Sequence, residues 1–525
     1  MLLMLIASAA SADQPASSAE DTRAGALIRK IRIEGNSALS DEDIALIIVP
    51  YEDETLSLAQ MQEVAAELQQ RYHALGYATT RVVVRPQQIK DGVLRLRVLE
   101  GRVGRVFVEG SRHFSPERNY LPYTPAEGEL LNLNSLRTGL RFLNSNPDIN
   151  ATAVLQRGRE AGTTDIKLVA KEHDPFHLSL KYDNAGTPNT PLSRTYVTAQ
   201  YDNLFDLSQI LSFQYGTAPA NPNKVQQYAL SYYVPFAPLG GPPGHSITFY
   251  GGRSKSDSDV ILDLFSVSGQ GTVYGVNYTL PLPDLWSWRQ QLSLGLEYQR
   301  IESNPGFGLA NVAHTLPLQA GWGASKRHNN GVTSLSASVR YQKDGLFRDF
   351  DAQHYAASRQ GADTDFLLCT LGAQRTQNIH AGWTASVAAE AQLTDDRLLP
   401  SQQYGLGGYD SVRGYRRRVL TADEALNVRT ELRAPLLPRL LPARLHEQIQ
   451  PLAFLDYARA SNKRARAGEL DTENMLGAGL GLRFSLLEGA MTGRLDAGWA
   501  LKDLRSTPER EKGQCLVHIG AEWRY

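Results

Sequence analysis

The chain has 525 residues, with 54 Lys and Arg against 55 Asp and Glu and a net charge of -1; that balance excludes bulk attraction to nucleic acid. Its length leaves room for roughly two to four domains at ~150 residues each. Mean hydropathy is -0.33 and no run approaches the ~18–20 apolar residues of a membrane-spanning helix, which leaves a β-barrel as the one membrane-crossing architecture open to it, because a barrel averages out as polar.

Met1-Leu2-Leu3-Met4-Leu5-Ile6 is a short apolar core, and Ala10-Ser11-Ala12 follows it. This fits a signal peptide over 1–12 with cleavage after Ala12. No Lys or Arg precedes the core, so the alternatives are a start placed too late or a frayed apolar end.

A compact unit is expected over 28–101, after a short linker at 13–27. Ile28, Ile31 and Ile33 read as a strand that ends at Glu34-Gly35-Asn36-Ser37, and Ser40-Asp41-Glu42-Asp43 reads as a helix start. Met61, Val64, Ala65, Leu68, Tyr72 and Leu75 recur at helical spacing over 58–75, with Gly76 as the stop. Strands follow at 80–85 and 93–99; in the second, Leu94, Leu96 and Val98 alternate with Arg95 and Arg97, giving one buried and one charged face.

The pattern returns over 102–174. A strand at 103–109 ends at Gly110-Ser111, as 28–34 ends at Gly35-Asn36-Ser37. Leu133, Leu136, Leu140 and Leu143 mark a helix closed by Asn144-Ser145-Asn146-Pro147, and strands at 151–156 and 164–170 complete the unit. Two β-α-α-β-β units in tandem amount to an internal repeat. They resemble the POTRA domain carried by barrels of the Omp85 superfamily, and 143–147 with 162–168 is similar to the second POTRA domain of two-partner secretion transporters. The resemblance implies client binding by strand addition to an open sheet edge; a plain spacer is the competing reading.

From 175 to 525 helical periodicity gives way to period two in segments of ~9–12 residues, the length of a tilted membrane-crossing strand. Leu292, Leu294, Leu296 and Tyr298 alternate with Ser293, Gly295, Glu297 and Gln299; Leu476, Ala478, Leu480, Leu482 and Phe484 alternate with Gly477, Gly479, Gly481, Arg483 and Ser485; 228–236 and 383–393 keep the same beat. A soluble sandwich also alternates. Aromatic residues at segment ends (Phe236, Tyr298, Trp383, Trp499), Arg, Glu and Gln on the polar faces, and short turns such as 485–491 set against a long loop at 395–425 favour a transmembrane barrel. Cys369 and Cys515 stand far apart without metal-type spacing and read as small wall residues. Val517, Ile519, Ala521, Trp523 and Tyr525 share one face of the last strand; Trp523 and the terminal Tyr525 resemble the C-terminal signal read by the barrel assembly machinery.

The long loop contains Gly405-Leu406-Gly407-Gly408-Tyr409-Asp410-Ser411-Val412-Arg413-Gly414-Tyr415. It has no G-x-G-x-x-G register and no Lys-Ser/Thr, so a nucleotide loop is excluded. Val412-Arg413-Gly414-Tyr415 resembles the VRGY/F motif of the sixth extracellular loop of Omp85 proteins, which folds back into the lumen. Five strands are counted after the loop and one directly before it, which places it between strands eleven and twelve of the sixteen-stranded barrel that the resemblance implies. Phe454-Leu455-Asp456-Tyr457-Ala458 is similar to the family's F-x-D-x-G segment on strand thirteen, with Ala458 where Gly is commoner. The resemblance pairs Arg413 with Asp456 and puts Phe454 beside them. Tyr182-Asp183-Asn184-Ala185-Gly186 and Tyr201-Asp202-Asn203-Leu204-Phe205 resemble the paired D-N segments of two-partner transporters.

Taken together, 28–525 resembles the ShlB/FhaC type of two-partner secretion transporter. The expected architecture is α+β periplasmic POTRA domains followed by an all-β, sixteen-stranded antiparallel transmembrane barrel in the outer membrane. The implied function is secretion of one large unfolded exoprotein, a haemolysin or adhesin, docked on the POTRA domains and passed through the barrel without ATP. An Omp85-type assembly factor is the alternative, and a simple porin ranks below it. Residues 13–27 are too few for both a plug helix and its linker, so either a barrel without that plug or a start placed too late is expected. An enzyme is disfavoured, since His446-Glu447 lacks the second His of H-E-x-x-H and no G-x-S-x-G occurs. Catalytic residues, metal and cofactor are expected to be absent, and the expected partners are the exoprotein, outer-membrane lipid and, during biogenesis, the assembly machinery, with a monomeric barrel and no nucleic acid.

Overall fold

The computed structural model describes residues 25–187, 190–255, 258–261, 265–267, 270–303, 311–347, 350–466, 469, 471–505 and 512–525. The expected signal peptide and most of the linker lie outside them. The chain divides into two units, one of them residues 1–174 with the turns 205–208 and 237–243, the other the remainder from Pro175 to Tyr525.

In the first unit, one module comprises β1 (Lys30–Glu34), α1 (Asp41–Ile48), α2 (Leu58–Ala74), β2 (Arg81–Val84) and β3 (Val93–Leu99). The sheet order is β1-β3-β2, with β1 parallel to β3. Ser40 caps α1 by accepting from the Asp43 N–H, and Asp41, Glu42 and Asp43 face the positive end of the helix dipole. A reciprocal Ser57–Gln60 capping box starts α2. Its apolar stripe, Val64, Leu68 and Tyr72, is buried against Leu94 and Leu96 of β3. Ile28 belongs to a different strand from Ile31 and Ile33: Ala26–Ile28 pairs with Glu54–Leu56, and the chain turns at Arg29. There the Arg29 and Lys30 N–H groups both donate to the Gly92 carbonyl, so the backbone cannot continue one ladder.

The second module comprises β4 (Arg102–Glu109), α3 (Leu133–Leu143), β5 (Ile149–Arg157) and β6 (Thr163–Glu172), in the order β4-β6-β5. Where the first module has α1, this one has only the short helical turns Pro116–Asn119 and Leu121–Tyr123. One device occurs in both. Gly35 and Gly110 take φ of 86° and 92° after the first strand, and a Cβ there would lie 2.6 Å from the Val98 carbonyl oxygen or 2.5 Å from that of Ala170. The acid that follows or ends the third strand then gathers the turn. Glu100 accepts from the Ser37 and Ala38 N–H groups, and Glu172 from those of Arg112 and His113. A buried tyrosine hydroxyl, Tyr72 or Tyr120, donates to the same carboxylate.

The second unit is a closed antiparallel barrel of sixteen strands among the described residues, each paired with its neighbours in sequence. Asn311–Thr315 and Leu318–His328 both pair with Trp288–Ser303 and form the two halves of the eighth strand. The first strand, Phe176–Asp183, closes on the last, Cys515–Arg524, over a short register from Asp183↔Gly520 to Ser179↔Arg524. The period-two pattern sorts the faces as expected: Leu230, Leu294, Leu480 and Ile519 are exposed, whereas Gln227, Glu297, Gln299 and His518 are buried inward. The sixth and seventh strands, Gln270–Leu285 and Trp288–Ser303, run longer than a bilayer requires. Their ladder continues past that length, so Tyr298 stands within a strand and not at its end. Cys369 lies within the tenth strand, Phe366–Asn378, and Cys515 opens the last, both as free thiols.

Candidate functional site: the lumen loop and its wall

The link 394–423 joins the eleventh strand, Thr384–Leu393, to the twelfth, Glu424–Arg433. It is built as a hairpin, with Tyr404–Leu406 paired to Leu420–Ala422. Its tip is held by local bonds: the Gly408 N–H donates to the Tyr415 carbonyl (3.1 Å) and the Gly407 N–H to Ser411 Oγ (3.2 Å). Gly407, Gly408 and Gly414 have φ of 99°, 96° and 99°, a conformation that other residues adopt only with strain.

Arg413 sits at that tip, 2% exposed, against Asp456 of the thirteenth strand, Gln448–Ser461, which is fully buried. The guanidinium grips the carboxylate in a fork, Nε to Oδ2 at 2.7 Å and Nη2 to Oδ1 at 2.8 Å, and the Arg413 backbone N–H adds a third bond at 3.1 Å. The remaining nitrogen, Nη1, donates to Glu431 of the twelfth strand at 2.7 Å. The Phe454 ring lies under the guanidinium carbon at 3.6 Å, a cation–π contact that covers its apolar face. Arg483 joins Glu431 (3.2 Å) to Asp496 (2.6 Å), and Arg433 also meets Glu431 (2.8 Å). The chain of contacts thus runs Asp456, Arg413, Glu431, Arg483, Asp496, with Arg433 as a branch on Glu431, three cationic groups against three carboxylates.

Shape matters as much as charge. Gly477 and Gly498 form a floor for the tip: a Cβ on Gly477 would lie 2.0 Å from the Arg413 carbonyl oxygen, and one on Gly498 2.6 Å from the Gly414 nitrogen. The loop backbone therefore rests directly on the backbone of the wall. Beside it, the Gly414 N–H donates to His518 Nε2 at 3.4 Å. Val412 and Tyr415 are fully buried with Leu406, Ala458, Met475 and Ala500. The Ala458 methyl is accommodated in that cluster. Tyr415 donates its hydroxyl to the Lys502 carbonyl (2.8 Å) or that of Leu476 (3.1 Å). Arg494 stacks on Tyr409 at 3.2 Å.

A second ion-pair cluster holds the base of the loop. Arg359 grips Asp423 with Nη1 to Oδ1 at 2.5 Å and Nη2 to Oδ2 at 3.1 Å, and Asp423 also accepts from the Leu398 and Lys463 N–H groups. Arg397 donates to Glu469 at 2.7 Å and to the carbonyls of Gln360, Lys463 and Arg464. Three links between strands are thereby joined at one point.

Of the residues singled out from sequence, Val412, Arg413, Gly414, Tyr415, Phe454 and Asp456 come together in this one site. Trp523, on the outward face of the last strand, and Tyr525, just past its end, are exposed and stand apart from it. Sequence reasoning missed Glu431, Asp496, Gly498, His518 and the Arg359–Asp423 pair. The glycines Gly477, Gly479 and Gly481 at period two were a visible signal of close backbone approach, as was Glu431-x-Arg433 on an inward face.

Residues 162–484, more than half of the chain, match the family profile of the haemolysin secretion/activation proteins ShlB/FhaC/HecB, and 26–101 match the ShlB-type POTRA domain. The hemolysin transporter protein HpmB of Proteus mirabilis is 26% identical, over 78% of this chain and 72% of its own. The outer membrane transporter CdiB of Dickeya dadantii is 25% identical, over 77% and 72%. The solved structure of CdiB from Escherichia coli superposes with a TM-score of 0.79 at 18% identity, covering 98% of this chain and 93% of that one, which shows a common fold.

Proposed function

We propose, on the premise that this chain belongs to the haemolysin secretion/activation family ShlB/FhaC/HecB, that it recognises one unfolded exoprotein through its two modules and passes it through the barrel without nucleotide. The family is one of outer-membrane transporters of two-partner secretion, with the modules in the periplasm. The observation that carries the finer reading is a chain segment seated on the inner wall of the barrel by ion pairs and a buried apolar cluster, and not by a covalent bond. Such a segment can leave as a unit and return to the same seat. Folding of the client outside then supplies the direction of transport.

The sheet edges support the docking step. Most of them are guarded. Glu52 accepts from the Ile31 N–H on β1, and Gln69 from the Val82 N–H on β2. The outer edge of β4 is covered by 127–129, through Val103 N–H to the Glu129 carbonyl and Gly128 N–H to that of Val103. On β5 the Asn144 amide pairs with both backbone groups of Ala151 (2.7 and 3.0 Å). Past it, β5 ends the sheet order at Ala153 and Leu155, where an extended segment can add.

Reconstitution tests this. The chain is placed in phospholipid vesicles, and a large exoprotein encoded beside its gene is diluted from urea outside them without nucleotide. Protease-protected exoprotein should accumulate inside, and the Leu155→Pro variant should lose that protection. Protection that requires ATP, or a loss of outer-membrane barrel assembly instead of secretion when the chain is removed from cells, overturns the reading.

A further inference from the structure

The link between the twelfth and thirteenth strands, 434–447, reads Ala-Pro-Leu-Leu-Pro-Arg-Leu-Leu-Pro-Ala-Arg-Leu-His-Glu. Every residue from Leu436 to Arg444 is exposed, including Leu436 (53%), Leu437 (40%), Leu440 (68%) and Leu441 (41%). Four leucines on one surface turn are costly in water unless something apolar covers them. The turn is nevertheless well fixed. Ala434 N–H donates to the Pro451 carbonyl (2.9 Å) and Leu437 N–H to that of Ile449 (2.8 Å), which carries the ladder into the turn. Buried Glu447 accepts from the Leu440 and Leu441 N–H groups, so their backbone is satisfied from within while the side chains point away. Pro435, Pro438 and Pro442 remove three further donors and stiffen the path.

We propose that this turn is an anchor seated in the phospholipid leaflet at the periplasmic face of the outer membrane. Three observations select that occupant. Leu426 and Leu432 are exposed on the outward face of the twelfth strand, and Leu436 and Leu437 are exposed directly beyond its end, so the exposed leucines lie next to the surface that already faces lipid. Strand alternation puts the turn at the end of the barrel where the first strand begins, which is the periplasmic end. Arg439 and Arg444 alternate with the leucines, and both are exposed; a guanidinium beside buried leucines suits a phosphate headgroup at the depth where acyl chains begin. The anchor fixes the membrane end of the two strands that bear Glu431 and Asp456, the wall partners of Arg413.

Spin labelling in vesicles tests it. In a Cys369→Ser, Cys515→Ser background, a nitroxide is attached at Leu440→Cys, at Leu436→Cys as a second position, and at Leu46→Cys on α1 as a water-exposed reference. Vesicles of phosphatidylethanolamine with phosphatidylglycerol should give faster collision with oxygen than with a nickel chelate at 440 and 436, and the reverse at 46. Adding Arg439→Gln and Arg444→Gln should make the label at 440 at least threefold more accessible to nickel. Nickel accessibility at 440 and 436 equal to that at 46 overturns the proposal. So does spin–spin broadening, which would mean that a second copy covers the turn.

Discussion

Arg413 is held by two kinds of fit, and they can be separated by mutation. Removing one partner from a buried ion pair leaves the other charge unsatisfied at a cost of about 3–5 kcal/mol, so Arg413→Ala and Asp456→Ala should each unseat the tip. Gly477→Ala removes no charge, yet its methyl would meet the Arg413 carbonyl at 2.0 Å, backbone against backbone. All three variants should insert as heat-modifiable barrels and secrete less than a tenth of the wild-type exoprotein. Normal secretion by Gly477→Ala would mean that the seat tolerates a shift and that charge alone holds the tip. The pair Arg413 and Asp456 was visible in sequence because each stands in a short motif. Glu431, Asp496 and His518 were not. Period two says which residues face the lumen, but not which lumen residues on different strands are neighbours, since that depends on register and tilt around a closed sheet.

Among the neighbouring strands of the barrel, in the described residues, the seam between the first and last has the least backbone pairing. Its ladder runs to Asp183↔Gly520, the next residue, Asn184, adds a backbone bond to the Ile519 carbonyl at 3.2 Å, and its side chain extends the pairing. Asn184 donates Nδ2 to the Val517 carbonyl (2.7 Å) and accepts the Ile519 N–H on Oδ1 (2.8 Å), a copy of a backbone pair made by an amide. Asn184→Leu keeps the size and removes both bonds, a loss of about 1–3 kcal/mol. The temperature at which the barrel loses its folded mobility on cold gels should fall, while Asn203→Leu, on the second strand and away from the seam, serves as the comparison. An unchanged temperature would show that the seam is carried elsewhere. Sequence reading found Asn184 only as part of a motif, because the seam joins positions some three hundred residues apart and no local pattern announces such a partner. Local signals did better where the interaction is local: the Ser40 cap, the α2 stripe and the alternation of 93–99 are all in the structure. Ile28 was assigned to the wrong strand because its apolar spacing matches that of Ile31 and Ile33, and only the Gly92 carbonyl, far along the chain, breaks the ladder at Arg29.

On the scale of the whole barrel, the lumen loop is pinned at both ends. The tip is held by Arg413 on Asp456 and Glu431, the base by Arg359 on Asp423. A segment fastened at two places is fully and lastingly displaced only when both release, because either clasp alone keeps the loop's backbone within reach of its seat. Arg359→Gln alone should therefore raise single-channel conductance in planar bilayers only slightly, since the tip stays seated on the wall. Arg413→Ala alone should give brief openings, with the base returning the loop to place. The double variant should conduct several-fold more than the sum of the two single increments, and for most of the recording. Additive increments would mean that the clasps act on separate segments, whereas the loop's hairpin, Tyr404–Leu406 against Leu420–Ala422, ties base to tip as one body. On the proposed function, a client that competes for Glu431 or Asp456 would free the tip first, and the base would then limit how far the loop travels and guide it back.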